Sequence, residues 1–182
     1  MRYSFVLPAY KNDYLQDAIE SILQQTFNDF ELIIVDDASP YNLESIVKQY
    51  NDQRIVFHRN EVNIGGKNLV MNWNKCIKYA KGEYLILAAD DDIYSPFFLQ
   101  QVEARIEEYP DVDIIRSRVN RIDSKGTITD IEQVYKPYMP FSEFVFYWSK
   151  GVINCIANYV FKRTSLLNAG GFVDMPCAWF SD

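Results

Sequence analysis

The sequence has few of the residues that mark disordered or fibrous proteins. Only seven glycines and seven prolines occur among its 182 residues, of which 48% are hydrophobic and 24% are charged. This balance argues against long disordered or low-complexity segments and leaves enough apolar side chains for a sizeable core. The length suits one domain, or one domain with part of a second.

Cysteine is scarce, and its three positions form no recognisable site. Cys76, Cys155 and Cys177 are far apart, and no pair has the spacing of a zinc ligand set or a redox motif. Their odd number also argues against a disulfide framework. Reduced thiols in a cytoplasmic compartment are the interpretation that fits these cysteines.

Basic stripes and long apolar runs are also missing. The formal net charge is -7, which argues against a nucleic-acid partner because such partners select basic surfaces. No apolar run approaches the length of a bilayer-spanning helix, and residues 1–7 lead straight into a strand rather than a signal peptide. We therefore expect a soluble cytoplasmic protein, and contact with the inner face of the membrane stays open.

The glycine-rich loops that bind phosphates are absent too. No G-x-G-x-x-G follows the first predicted strand, and no Walker A pattern occurs. A classical dinucleotide site lacks its tight phosphate turn here. An acidic protein that binds an anionic diphosphate would need a cation between the two, such as Mg²⁺ or Mn²⁺.

What the sequence does have is a carboxylate cluster at a strand end. Residues 82–96 read GEYLILAADDDIYSP, in which an apolar run ends in Asp90, Asp91 and Asp92. Three adjacent carboxylates repel one another and packing does not require them, so a divalent cation is one explanation. A helix cap is the other, because the Ser-Pro pair that follows is typical of a helix start.

Predicted strands and helices alternate along the first half of the chain. Short apolar runs predict the strands, and apolar residues at the helix period predict the helices. Strands separated by helices of crossover length indicate an α/β fold with a mostly parallel sheet and helices on both faces. The predicted strands are residues 3–7, 30–35, 55–58, 84–89 and 112–115, and the predicted helices are residues 15–23, 42–50, 68–80 and 95–108.

Three predicted strand ends carry distinctive residues. Pro8, Ala9 and Tyr10 follow the first strand, Asp36 and Asp37 follow the second, and the acidic triplet follows the fourth. Because ligands of open parallel sheets bind outside the carboxyl ends of the strands, we expect these residues to converge on one crevice. Taken alone, Asp36 and Asp37 are equally well explained as helix-capping residues.

Five segments, in order along the chain, form a recognisable combination. They are VLPAYKND at 6–13, SILQQTFNDFELIIVDDASP at 21–40, NIGG at 63–66, NWNKCIKYAKGEYLILAADDDIYSP at 72–96 and AGGF at 169–172. The combination resembles the GT-A glycosyltransferases of family 2. The resemblance implies a three-layer α/β/α GT-A fold in a single domain over residues 1–182. Residues 1–115 would form the nucleotide-binding half, and residues 116–182 would begin an acceptor half that is truncated at the carboxyl terminus.

The resemblance also implies roles for individual residues of the nucleotide-binding half. Pro8, Ala9 and Tyr10 would line the nucleotide pocket, and Asp37 would contact the base. Lys67 lies in a segment that matches a family loop near the donor. It would contact a phosphate, although a solvated lysine explains it equally well.

The acidic triplet departs from the family's common pattern. The pattern Asp-x-Asp-Asp would place its first Asp on Ala89. The triplet is similar to members with a shifted pair, in which Asp90 would contact the nucleotide and Asp91 would bind Mn²⁺ or Mg²⁺. Asp92 would be a further metal ligand, a group that supports the ligands, or the helix cap.

The implied activity is transfer of a sugar from a nucleotide diphosphate donor, a UDP-sugar in most of the family, to a hydroxyl acceptor with inversion. The acceptor would be a saccharide or a lipid-linked saccharide in surface polysaccharide or lipopolysaccharide synthesis. The family's catalytic base follows the segment that resembles AGGF. Asp182 is either that base or the residue before a base that lies beyond the chain end.

Two other functions stay open on the sequence. The chain could be a non-catalytic fragment that binds a nucleotide sugar or a metal, or it could be a sugar-1-phosphate nucleotidyltransferase. The second class has a loop rich in glycine and arginine after its first strand. Residues 8–13, PAYKND, are not such a loop.

The second half of the chain is less informative. Asp123 to Gly126 predicts the turn of a hairpin within residues 118–134, and residues 154–162 predict a strand that returns to the site. The aromatic run at 141–148 predicts core packing, ahead of stacking on an acceptor sugar or contact with a lipid carrier. The glycine pair at 170–171 predicts a turn beside the donor sugar, and His58 is predicted to be structural.

Overall fold

A computed structural model of the chain describes residues 1–150, 153 and 155–175. Asp182, Cys177 and the predicted start of a strand at 154 lie outside these residues. In the part that the structure describes, no helix is both long enough and apolar enough to span a bilayer.

The described residues form eight strands and six helices, which mostly alternate as far as β5. The strands are β1 (Tyr3–Ala9), β2 (Phe30–Asp36), β3 (Ile55–Arg59), β4 (Tyr84–Leu87), β5 (Ile114–Arg116), β6 (Asn120–Ile122), β7 (Ile128–Ile131) and β8 (Tyr159–Lys162). The helices are α1 (Leu15–Leu23), α2 (Leu43–Val47), α3 (Leu69–Cys76), α4 (Phe98–Glu108), α5 (Phe141–Trp148) and α6 (Arg163–Asn168). Single 3₁₀ turns follow α3 and precede β8.

Six of the strands form the central sheet, in the spatial order β3-β2-β1-β4-β8-β5. β1 pairs in parallel with β2 and β4, and β2 pairs in parallel with β3. β8 lies antiparallel between β4 and β5. The predicted α/β fold with a mostly parallel sheet is therefore confirmed. That β8 separates β4 from β5 could not be predicted from the sequence.

Alternate residues of the central strands pack into two separate cores, one on each face of the sheet. Phe5, Leu32 and Ile86 belong to the core beneath α1, α2 and α4. Val6 and Leu85 point to the opposite face, where Val70 of α3 joins their core. The period of two along each strand thus produces the three layers of helix, sheet and helix.

Several predicted element boundaries are corrected by the structure. β1 continues through Pro8 to Ala9 instead of ending at residue 7, so only Tyr10 of the predicted trio follows the strand. Two further corrections change where the acidic triplet lies. α4 begins at Phe98 rather than at Ser95, because the backbone N–H of Phe98 donates to the Ser95 carbonyl at 2.9 Å and closes a turn before the helix. β4 ends at Leu87 rather than at Ala89. The acidic triplet therefore lies in a loop between strand and helix, not at the helix start.

The predicted hairpin is confirmed as the two-stranded sheet of β6 and β7. Asp123 organises its turn, because its Oδ1 accepts hydrogen bonds from the backbone N–H groups of Lys125 at 2.8 Å and Thr127 at 2.9 Å. Gly126 has φ of 78°, a left-handed conformation that favours glycine. Neither strand of this hairpin has a buried residue.

The aromatic run at 141–148 forms α5, and the prediction that it packs in the core is wrong for most of its residues. No residue of α5 is buried, and Phe141 is 81% exposed. Phe144 packs partly against the core on the α3 face. An aromatic run predicts large apolar contacts, but it does not say whether a neighbouring element lies over each side chain.

Candidate active site

The carboxyl ends of β1 and β4 are joined by Asp90. The parallel register pairs Val6 with Leu87, so residue 90 lies level with the end of β1. The Asp90 Oδ2 accepts hydrogen bonds from the backbone N–H groups of Tyr10 at 2.9 Å and Lys11 at 3.0 Å. The predicted convergence of these two strand ends is confirmed, and Asp90 fixes the loop that carries Tyr10.

The end of β2 is tied to the same loop by Ser39. Its hydroxyl donates to the Tyr10 carbonyl at 2.6 Å, and its backbone N–H donates to Asp36 at 2.8 Å. The fully buried Asp36 carboxylate pairs with the guanidinium of Arg59 at the end of β3. Asp36 is therefore a structural residue that holds three strand ends together.

Between Asp36 and Ser39 the backbone turns through Ala38, which has φ of 53°. A residue with a Cβ rarely adopts this left-handed conformation, which costs about 1 kcal/mol relative to glycine. The surrounding hydrogen bonds hold the turn in this shape. The Asp37 carboxylate, just before this turn, is bonded to the loop that follows β3.

Asp37 is buried and saturated with hydrogen bonds. It is 3% exposed, and it accepts from the Asn60 side chain at 2.7 Å and from the backbone N–H groups of Ile64 at 3.0 Å and Gly65 at 2.7 Å. A Cβ at residue 65 would lie 3.0 Å from Asp37 Oδ2, so glycine permits this close approach. Asp37 therefore holds the 60–66 loop in shape. Its contact with a nucleotide base stays a prediction.

A buried polar chain continues from Asp37 into α3. The Asn60 amide also donates to Asn72 Oδ1 at 3.2 Å, and the Cys76 thiol donates to the same oxygen at 3.6 Å. Burial, reinforced by the negative charge of Asp37, raises the pKa of Cys76 to about 12. The thiol therefore stays protonated, as a structural cysteine does. Sequence reasoning missed Asn60 and Asn72, because isolated asparagines carry no pattern.

The three carboxylates of the triplet have different surroundings. Asp90 is bonded to the β1 loop, whereas Asp91 is exposed to solvent. Asp92 is half-buried, and its Oδ2 accepts from the Cys155 thiol at 3.4 Å. Burial raises the pKa of Asp92, and its two acidic neighbours raise it further. Asp91 is thus the member of the triplet that is exposed to water.

The helix-cap explanation of the triplet is not supported by the structure. The residue before α4 is Phe97, and no side chain caps the helix there. Asp92 is directed instead toward the segment that leads into β8. Among the described residues, no group of three His, Cys, Asp or Glu side chains is arranged to hold a metal ion alone.

Lys67 directly follows the loop that Asp37 shapes. Its backbone N–H donates to the Ile64 carbonyl at 3.0 Å, and its side chain is exposed. Asn63 closes the same loop by accepting from the Gly66 N–H at 2.5 Å. The structure places Lys67 beside the loop formed by residues 60–66, and its contact with a phosphate stays a prediction.

The glycine pair at 170–171 forms the predicted turn, with φ of 92° and 85°. Beyond it, the Asn74 amide donates to the Phe172 carbonyl at 2.8 Å and accepts from its N–H at 2.9 Å. A Cβ at residue 171 would lie 2.4 Å from Asn74 Oδ1. The segment is thus held on α3, while its approach to a donor sugar stays a prediction.

A comparison with protein families identifies the chain. The model described as Glycosyl transferase family 2 matches residues 4–170, which include every site residue discussed above except the segment after Gly170. The chain belongs to glycosyl transferase family 2. The resemblance seen in the sequence is thereby confirmed.

Two relatives of this family 2 chain are also described as glycosyltransferases. An uncharacterized glycosyltransferase of Methanocaldococcus jannaschii is 38% identical over 118 residues, which are 63% of this chain and 40% of that protein. One of Rickettsia felis is 32% identical over 128 residues, which are 69% of this chain and 18% of that protein. The chain therefore spans less than half the length of these curated relatives.

A solved structure shows the fold of this family 2 chain. S. aureus TarS residues 1–349, in complex with UDP-GlcNAc, superimposes with a TM-score of 0.78 at 22% identity. The match covers 96% of this chain and 49% of the TarS chain. The expected GT-A fold is thereby confirmed.

Proposed function

We propose that this family 2 chain binds a UDP-sugar and transfers the sugar to a hydroxyl acceptor with inversion. The observation that supports the proposal best is the arrangement of the acidic triplet. Asp91 is exposed, whereas Asp90 is bonded to the Tyr10 loop and Asp92 to Cys155. The triplet lies at the edge of the sheet where β1 and β2 end. A fixed carboxylate at the carboxyl ends of parallel strands suits a ligand site.

The nucleotide would lie between the Tyr10 loop and the loop formed by residues 60–66. The Tyr10 ring is 43% exposed and could stack on a base, while Pro8 and Ala9 shape the backbone below it. Asp37 would act on the base side by holding the 60–66 loop in place. Lys67 follows this loop directly, and its exposed ammonium group would neutralise phosphate charge.

The carboxylate oxygens of the triplet fit a divalent metal that is bound jointly by the protein and the nucleotide sugar. Asp91 offers hard oxygen ligands, with Asp92 as a second, and a diphosphate and water would complete the coordination that Mg²⁺ or Mn²⁺ prefers. A bound metal would stabilise the negative charge that develops on the departing diphosphate. Asp90 would keep the Tyr10 loop at a fixed distance from the metal position.

The acceptor would be a saccharide or a lipid-linked saccharide, in the assembly of surface polysaccharide or lipopolysaccharide. Its hydroxyl would need a base on the face opposite the leaving group, and a carboxylate is the usual choice. Asp182, or an acidic residue after it, is proposed for this role. The segment from Gly171 to Asp174 would lead toward this base.

The test is calorimetric titration of UDP, with GDP and CMP for comparison, in the presence and absence of Mn²⁺. We expect metal-dependent binding of UDP that Asp91→Asn weakens at least about tenfold, because a ligand of the metal is lost. Asp111→Asn is the matched control, since Asp111 is also exposed but lies beyond α4. Failure of every nucleotide to bind the folded protein would overturn the proposal.

Transfer itself is tested with UDP-sugars and saccharide acceptors once binding is established. Binding without transfer would favour the alternative of a nucleotide-sugar binding protein. A sugar-1-phosphate nucleotidyltransferase would instead release pyrophosphate from UTP and a sugar phosphate. The segment from residue 8 to residue 13, which contains neither glycine nor arginine, argues against that class.

A further inference from the structure

The outward face of α5 exposes apolar side chains to solvent. Phe141 is 81% exposed, Phe146 57% and Val145 40%. At 100° per residue these three positions lie within one half of the helix surface. In the segment before the helix, Val134 is 78% exposed and Tyr138 is 54% exposed.

The opposite face of α5 is attached to the rest of the protein. Phe144 packs against the core on the α3 face, and the Tyr147 ring meets the Tyr135 ring edge-on at 5.6 Å. The helix is therefore oriented by its inward contacts, which leave Phe141 and Phe146 directed outward. An exposed apolar surface of this kind marks an interaction site when it is contiguous.

The outward face carries no charged residue. Its polar members are Ser142 and Ser149, both exposed. Glu143, at the border of the face, pairs with Lys136 at 2.5 Å. Lys150 lies at the other end of the helix, with its Nζ 5.6 Å from the centroid of the Phe146 ring. The ammonium groups of Lys136 and Lys150 thus border the apolar face.

The charge of this region differs in sign from that of the rest of the chain. Residues 116–150, which we call the arm, contain six basic and four acidic side chains. Three of the four acidic ones pair with arginine or lysine, namely Glu132, Asp130 and Glu143. Residues 1–115, which we call the body, contain ten basic and nineteen acidic side chains. An anionic surface would therefore repel the body and attract the arm.

We propose that the outward face of α5 docks on an anionic lipid bilayer. Phenylalanine and valine side chains insert at the boundary between headgroups and acyl chains, and bordering lysines contact the anionic headgroups. A second copy of the chain would place two positively charged arms against each other. The charge pattern thus favours a bilayer, and this surface is independent of the nucleotide-sugar chemistry proposed above.

The test is co-sedimentation of the full chain with vesicles of phosphatidylglycerol mixed with phosphatidylcholine, and with vesicles of phosphatidylcholine alone. We expect binding to the anionic vesicles that weakens as salt is added, because the headgroup attraction is screened. The double variant Phe141→Ser/Phe146→Ser should lose at least about tenfold in vesicle affinity, since its inserted apolar area is removed. Lys150→Ala should lose about fivefold.

The matched control is Phe97→Ser, because Phe97 is 55% exposed but belongs to the acidic body. Its vesicle binding should equal that of the unchanged protein. The thermal unfolding midpoint checks that each variant is folded. Absence of binding to anionic vesicles, equal binding to neutral ones, or an equal loss in Phe97→Ser would overturn the proposal, as would a dimer that the double variant dissolves.

Discussion

The body and the arm are stabilised in different ways. In the body, alternate residues of four parallel strands fill two cores, and β2 is buried along its whole length. In the arm, β6, β7 and α5 have no buried residue. The body is therefore held by apolar contacts on both faces of a sheet, whereas the arm depends on a few side chains that reach inward. This difference predicts where substitutions affect stability.

The largest contrast is expected between two phenylalanines. Phe5 is fully buried in β1 and packs against the rings of Phe30, Tyr94 and Phe98. Phe5→Ala should lower the free energy of unfolding by about 3–5 kcal/mol, because it removes buried area and leaves a cavity. Phe141→Ala in the arm should change it by less than about 0.5 kcal/mol. Urea unfolding measures both, and similar losses would contradict the division into body and arm.

The sequence predicted the body well because its signals are local. Each strand from β1 to β4 is a short apolar run with a turn or charged residues after it, and the helices between them repeat apolar residues at the helix period. The helix predicted from residue 42 is α2, and Asn42 caps it, since its side chain accepts from the Ser45 N–H at 3.2 Å. Parallel pairing then brought Tyr10 and Asp90 together as expected.

The sequence failed where a contact joins distant segments. Nothing in the YVFK run of β8 indicates that it lies between β4 and β5, because such pairing depends on the whole sheet. The 60–66 loop is shaped by Asp37, yet its partner Asn60 has no recognisable pattern. The aromatic residues of α5 predicted a core, although only one face of that helix meets the protein.

The arm does contain one buried ion pair, between Glu132 and Arg116, which limits the contrast with the body. The Glu132 side chain is 2% exposed and pairs with Arg116 at 2.5 Å, while its second oxygen accepts from the Val119 N–H at 3.0 Å. Arg116 also donates to the Ile153 carbonyl, so the pair joins the arm to the segment before β8. Removing one member of a buried ion pair leaves the other charge uncompensated.

Glu132→Gln is therefore expected to destabilise the arm by about 2–3 kcal/mol. Amide hydrogen exchange should accelerate by about 30-fold to 160-fold at Val119 and its neighbours, with body amides unchanged. Glu143→Gln is the control, because Glu143 makes an exposed pair with Lys136. Acceleration throughout β1 and β2 would show that the arm does not open separately.

The smallest contrast concerns two ion pairs and their dependence on pH. At the edge of the body, Arg54 donates to Asp52 through its side chain at 2.6 Å and through its backbone at 2.9 Å. These hydrogen bonds, led by that of the side chain, hold the pKa of Asp52 below its ordinary value of 3.8. A lowered pKa in the folded protein means that the ionised form is stabilised by folding. The contribution is complete above the ordinary value and is lost as the pH falls through the lowered one.

Asp52→Asn should therefore lower the free energy of unfolding by about 0.5–1 kcal/mol near neutral pH, with the difference shrinking below pH 3.8. Glu143→Gln in the arm should change it by less than about 0.5 kcal/mol, because its partner Lys136 is 63% exposed and the pair is screened by solvent. Urea unfolding of both variants at several pH values measures the difference. An Asp52→Asn effect that persists unchanged in acid would mean that Asp52 acts as a neutral hydrogen-bond acceptor, so that its charge has no part in stabilising the body.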